Sequence, residues 1–274
     1  MVSLLEVVLI ATAAGCATGI GALPTFYTDQ VSHRLYDSAV GFAAGVMVGA
    51  AVFALVVPGL EIGAPLEVVI GLLAGGGFLL VANATLPHLH LRITDQDEQF
   101  EGTAIISEDG ADGTRTTLEA TEIQDNKRRA LLVGGAVTIH NVPEGLAVGI
   151  AFASGEPTLG FAIAIAITVQ NIPDGFAMAV PAARAGVSPP RTVLYTTLSG
   201  GVPEPIAAAA GFALVAMVTG LFPVAAGFAA GAMIAVVFRE MIPSSHGHGY
   251  VDTATVAFLL GFALMLVVDT VLAV

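Results

Sequence analysis

At 274 residues, 55% of them hydrophobic and only 11% charged, with a mean hydropathy of +0.86, this chain is too apolar for a soluble domain. Its single cysteine, Cys16, excludes an intrachain disulfide. The net charge of −13 is concentrated: ten of the 22 acidic residues lie between Asp95 and Asp125.

A hydrocarbon core needs about 20 apolar residues per helix. Runs of that kind predict eight spans, at about 3–25, 37–58, 65–86, 129–153, 157–181, 191–215, 220–242 and 251–273. The expected fold is therefore all-α, a single polytopic membrane domain of eight transmembrane helices. The first run lacks a basic leading segment and reads as a retained span rather than a cleaved signal. The connections are short except at 87–128. That stretch is acidic, glycine-containing and without apolar periodicity, and it is expected to be a mobile cytoplasmic loop.

The basic residues orient the spans. Arg34 falls between spans one and two. Arg92, Arg115, Lys127, Arg128 and Arg129 fall between three and four, Arg184 and Arg191 between five and six, and Arg239 at the end of seven. With eight spans all nine lie on one side, which the positive-inside rule makes cytoplasmic. A multi-pass protein of the inner (plasma) membrane with both termini extracytoplasmic is expected.

The chain also repeats itself. "GFAAGVMVGAAVFALVVPG" at 41–59 matches "GFAAGAMIAVVFREMIPSS" at 227–245, with Met47 over Met233 and a proline near each end. The two runs cross the membrane in opposite senses, so spans 1–3 and 6–8 are expected to be related by an inverted repeat. In transporters such a relation puts the substrate site near the midplane.

Spans four and five carry "TIHNVPEGLAVGI" and "TVQNIPDGFAMAV". At a spacing of four, His140 and Glu144 share one helix face, and Gln170 and Asp174 share another. Asn141 and Asn171 lie beside them. His140 and Gln170 are equally far from a turn near Gly155 and Glu156, about 22 Å down the helices, so the hairpin of spans four and five sets both clusters inside the bilayer. Pro143 and Pro173 free the carbonyls of Ile139 and Val169. Span six adds Glu204 in "SGGVPEP". Each ionised carboxylate at this depth costs about 2.5–3.5 kcal/mol, and no lysine or arginine lies mid-membrane to offset it. Histidine, carboxylates and amide oxygens together are a ligand set for a first-row divalent metal. His140, Glu144, Asp174 and Glu204 suit one ion. Asn141, Gln170 and Asn171 with a bridging carboxylate suit a second.

The paired "HNVPEG" and "QNIPDG" in adjacent spans resemble those of the ZIP (Zrt/Irt-like) divalent metal transporters, prokaryotic branch, over essentially the whole chain. The resemblance implies that His140, Asn141, Glu144, Gln170, Asn171, Asp174 and Glu204 are metal ligands and that Met47 is the span-two methionine near the metal. It implies a binuclear site and movement of zinc, cadmium, iron or manganese toward the cytoplasm. Asp174 stands where the family usually has Glu, and Asn171 where some relatives have Asp, which weakens the second position.

Outside the clusters, Glu61 at the outer end of span two is a candidate entrance ligand. His88, His90, Glu240, His246 and His248 at the inner ends of spans three and seven are candidates for an exit path. The expected function is import of divalent metal, zinc first and cadmium, iron or manganese after it, by alternating access. A channel-like permease and a non-transporting metal sensor are the alternatives. An enzyme is not expected, since the metalloprotease H-E-x-x-H pattern needs a second histidine. No nucleotide or nucleic-acid partner is expected, and there is no G-x-x-x-x-G-K-[ST] motif. The partners are the lipid bilayer and metal ions, and Gly-rich faces would allow a homodimer.

Overall fold

A computed structural model describes residues 2–27, 31–91, 139–184, 186–218 and 220–272, and the side chains of these except 85–91 and 272. Among the described residues the chain is helical, with no strand. Seven helices are long and apolar enough to cross a membrane, so the chain is a multi-pass membrane protein. They are α1 (Leu4–Phe26), α2 (His33–Ile62), α3 (Pro65–Leu91), α5 (Pro157–Arg184), α6 (Pro189–Met217), α7 (Phe222–His246) and α8 (Val251–Leu272). Residues 139–153 form a further helix, α4. The rest of the expected fourth span lies outside the described residues, as does the expected acidic loop from residue 92 onward. Helix α3 extends to Leu91 rather than ending near residue 86. At 1.5 Å per residue it is about 40 Å long, enough for the hydrocarbon and both interfaces.

Local chemistry fixes the ends. Ser3 caps α1 through a box in which its hydroxyl accepts from Glu6 N–H and its own N–H donates to the Glu6 carboxylate at 2.7 Å. Ser32 caps α2 by accepting from Leu35 N–H. The α4–α5 hairpin turns at Ser154 and Gly155, where φ of +89° suits glycine alone.

The helices form two groups. Helix α3 packs along α7 and α2 along α8, while α1 packs against α5 and α6, which α4 joins through the contacts described below. The main junction between the groups is α2 against α5. The "GFAAG" motif serves the first group. A Cβ on Gly45 would fall 2.0 Å from the Phe258 carbonyl oxygen of α8, and one on Gly231 would fall 2.0 Å from that of Leu72 on α3. Only hydrogen at these positions lets the backbones meet. The reciprocal contacts match too: Gly261 meets the Phe42 carbonyl and Gly75 that of Phe228. Both α2 and α7 widen into one π-type turn, Val52–Val56 and Val237–Met241, just before Pro58 and Pro243.

Gly45→Ala and Gly231→Ala should each lower stability by about 1–3 kcal/mol through forced separation of the backbones. Gly77→Ala, where a Cβ meets nothing within 4 Å, should not. Unfolding of the three variants in mixed micelles measures the difference.

Candidate metal centre

The centre forms where α4, α5 and α6 meet the broken part of α1. Helix α6 is interrupted at Val202, and Pro203 cannot supply the N–H that the Ser199 carbonyl would otherwise accept. Asn141 of α4 fills that place, its Nδ2 donating to Ser199 O at 2.7 Å. Asn171 of α5 likewise reaches α1, donating to Ala14 O at 2.8 Å, a carbonyl that also accepts from the Ala17 N–H at the irregular turn. The same Nδ2 donates to Glu204 Oε1, also at 2.8 Å. Each asparagine thus ties two helices together and is itself buried.

The glycine that follows each acid explains the rest of the motif. A Cβ on Gly145 would lie 2.2 Å from the Glu204 carbonyl oxygen, and one on Gly175 would lie 1.7 Å from that of Thr18. Helix α4 therefore touches α6, and α5 touches α1, at the residue after the carboxylate. The acids are carried into the junction by that contact.

Glu144 and Glu204 are both fully buried. Gln170 Nε2 donates to Glu144 Oε1 at 2.6 Å and reaches Asp174 Oδ2 at 3.5 Å, the outer limit of a hydrogen bond. Residue counting levels His140 with Gln170. The structure instead pairs Gln170 with Glu144, one turn further along. His140 turns to α7, where its Nε2 lies 2.7 Å from Glu240 Oε2, an ion-pair distance without hydrogen-bond alignment. Asn83 of α3 donates to the other Glu240 oxygen at 2.6 Å. Glu240, expected only along an exit path, therefore touches the central cluster. The sequence signal was an acid next to Arg239 near the inner end of the apolar span seven. Asn83 carried none.

Six buried atoms of this cluster make no hydrogen bond among the described residues: His140 Nε2, Asn141 Oδ1, Glu144 Oε2, Gln170 Oε1, Asn171 Oδ1 and Glu204 Oε2. Carboxylate and amide oxygens only accept. Glu144, Asp174 and Glu204 have no ion pair with lysine or arginine among the described residues. A concentration of acceptors that outnumbers its donors is the chemistry a divalent cation satisfies. As the side chains stand, no three His, Cys, Asp or Glu groups among the described residues already surround one point. The Gln170 amide lies between Glu144 and Asp174, and that of Asn171 between Glu204 and the Ala14 carbonyl.

Other candidates are more scattered. Met47 is buried on α2, the helix that runs along α5. Glu61 is exposed, within electrostatic reach of Asp269 on α8. The side chains of His88 and His90 lie outside the described residues. His246 Nδ1 lies 2.8 Å from Ile242 O within its own helix. His248 Nδ1 lies 2.6 Å from Asp37 Oδ1 on α2, apart from the centre.

A family model described as "ZIP Zinc transporter" matches residues 2–269. The chain belongs to the ZIP family. It is 37% identical over 265 residues to "Zinc transporter GufA" of Myxococcus xanthus, covering 93% of this chain and 94% of that protein. It is 34% identical over 281 residues to "Zinc transporter ZIPB" of Bordetella bronchiseptica, covering 97% and 81%. To "Zinc transporter ZIP11" of Homo sapiens it is 32% identical over 318 residues, covering 92% and 93%. In this ZIP chain the two related motifs thus lie on adjacent helices and meet at the Gln170–Glu144 hydrogen bond.

Asn171→Ala removes one donor from two buried acceptors on different helices and should cost about 1–3 kcal/mol of stability. Ser38→Ala, an exposed hydroxyl bonded only within its own helix, should change it little. Thermal unfolding of both variants in detergent checks this.

Proposed function

We propose that this chain carries zinc across the membrane into the cytoplasm, with cadmium, iron and manganese as competing substrates, and that His140, Glu144, Asp174 and Glu204 are its principal ligands. The five buried acceptor oxygens without a partner, on Asn141, Glu144, Gln170, Asn171 and Glu204, are the observation that carries this reading. Membership of a family of zinc transporters supports the choice of zinc.

The amides supply the adaptation. An amide presents a donor and an acceptor of nearly equal shape. A half-turn of Gln170 replaces the Nε2 that faces Glu144 with its unpartnered Oε1 and converts a hydrogen-bond donor into a metal ligand. The same half-turn at Asn171 offers Oδ1 beside Glu204. Asn141 and Asn171 with a bridging carboxylate suit a second ion. Met47 is the soft neighbour on α2.

His140 belongs to α4 and Glu240 to α7, so their contact crosses from one helix group to the other. Movement of one group against the other would break it and open the centre to one side at a time, which is alternating access. The matched glycine contacts and π-type turns of α2 and α7 support an inverted relation between spans 1–3 and 6–8, with α2–α8 corresponding to α7–α3. Glu61 stands on the outer approach, and Glu240 is the first group met on the way in. The distribution of arginines supports an inner-membrane protein with both termini outside. The protein is a carrier and not an enzyme.

Zinc uptake into proteoliposomes containing a zinc-sensitive dye tests the proposal. The intact chain should give saturable uptake, Glu144→Ala should abolish it, and Asp174→Ala should reduce it at least tenfold. Uptake unchanged by Glu144→Ala would overturn the assignment of the site.

A further inference from the structure

Helices α2, α4 and α6 end, and α3, α5 and α7 begin, at the end of the bundle opposite to Arg34, Arg184, Arg191 and Arg239. A cavity of about 390 Å³ lies there, between the two helix groups. Ile62, Glu67 and Pro223 line it from the side of α2, α3 and α7, and Ala153, Ser154 and Val218 from the ends of α4 and α6. None of these residues belongs to the metal centre.

The cavity has one charged side chain in its wall. Gly63 follows the last turn of α2, and a Cβ there would fall 2.6 Å from Glu67 Oε2. Its absence lets the turn close, and that oxygen accepts from Ala64 N–H at 2.9 Å. The other Glu67 oxygen accepts no hydrogen bond, and Glu67 joins no ion pair, among the described residues. Ser154 Oγ is engaged within its own turn, donating to Ala151 O and accepting from Glu156 N–H. The other lining side chains are apolar.

That composition selects by chemistry. A divalent metal needs several oxygen or nitrogen ligands and would meet one free carboxylate oxygen. A zwitterionic lipid headgroup would bring a phosphate, and no lysine or arginine among the described residues lies at this end. An ammonium ion on an apolar body matches both parts of the wall, its charge on Glu67 and its body against Ile62, Val218 and Pro223. The volume suits a small molecule, since such sites span about 300–1,000 Å³. The two sides of the cavity belong to different helix groups, so movement of one group against the other changes its shape. A molecule that fits one arrangement better holds the chain in it.

We propose that this cavity binds a small water-soluble organic amine through Glu67, and that the bound amine holds the two helix groups in their present relation and slows transport. The slowing, though not the binding, rests on the carrier reading above.

Equilibrium dialysis of radiolabelled phenylbutylamine against the purified full-length chain tests it. The intact chain should bind the amine saturably, and phenylbutanoate should not compete. Glu67→Gln, which keeps an acceptor for Ala64 N–H, should weaken binding about tenfold. Val218→Trp, which fills the cavity from the α6 side, should abolish it, a readout that holds even where Glu67→Gln disturbs the turn. In proteoliposomes the amine should slow zinc uptake by the intact chain and not by Val218→Trp. Binding unchanged by both variants, or equal competition by phenylbutanoate, overturns the site. Saturable, Glu67-dependent binding with zinc uptake unslowed overturns the hold on the helix groups. The same binding with no zinc uptake in any sample supports the site and overturns the carrier reading instead.

Discussion

Acids buried in a membrane protein need positive charge, and among the described residues no lysine or arginine pairs with the buried Glu144 and Glu204 or the half-buried Asp174. Among the described residues the ion pairs are His140 with Glu240 and His248 with Asp37, both histidine–carboxylate. Everything around the centre follows from that shortage. Gln170 and Asn171 lend amide protons to Glu144 and Glu204, which shields the charge in part while leaving one oxygen of each acid without a partner. Full satisfaction by the protein would close the site to a cation. Partial satisfaction keeps the fold intact and the site available.

The motif's letters divide the labour. Asparagine bonds a carbonyl on a neighbouring helix, at Ser199 for Asn141 and Ala14 for Asn171. Proline removes one backbone donor from the motif's own helix, although both helices run on unbroken through Pro143 and Pro173. The acid enters the junction, and glycine brings the backbones together behind it. Pro203 makes the same exchange on α6, where the carbonyl it releases is the one Asn141 takes. A membrane interior tolerates irregular backbone only where such substitutes exist.

Much of this was legible from local pattern. Apolar runs marked seven stretches that are long apolar helices in the structure, and the spacing of four put His140 with Glu144 and Gln170 with Asp174 on shared helix faces. What local pattern lacks is the azimuth of one helix against another. His140 is within electrostatic reach of Asp174 on its own hairpin, and its Nε2 also meets Glu240 across the junction of the two helix groups. Counting residues from the turn levels His140 with Gln170, whereas the hydrogen bond runs from Gln170 to Glu144, four residues on from His140. Asp37 drew no attention, since a polar residue at the start of a span is ordinarily interfacial. Only the return of the chain between α7 and α8 brings His248 onto it.

The central claim is that a divalent cation binds where the unpartnered oxygens of Glu144 and Glu204 converge with Gln170 and Asn171. Anomalous diffraction from crystals of the full-length chain grown with cadmium tests it most directly. The account predicts a strong peak within bonding distance of Glu144, accompanied by a turned Gln170 amide. Cadmium elsewhere on the chain, with Glu144 still hydrogen-bonded to Gln170 Nε2 and no density between the acids, would contradict it.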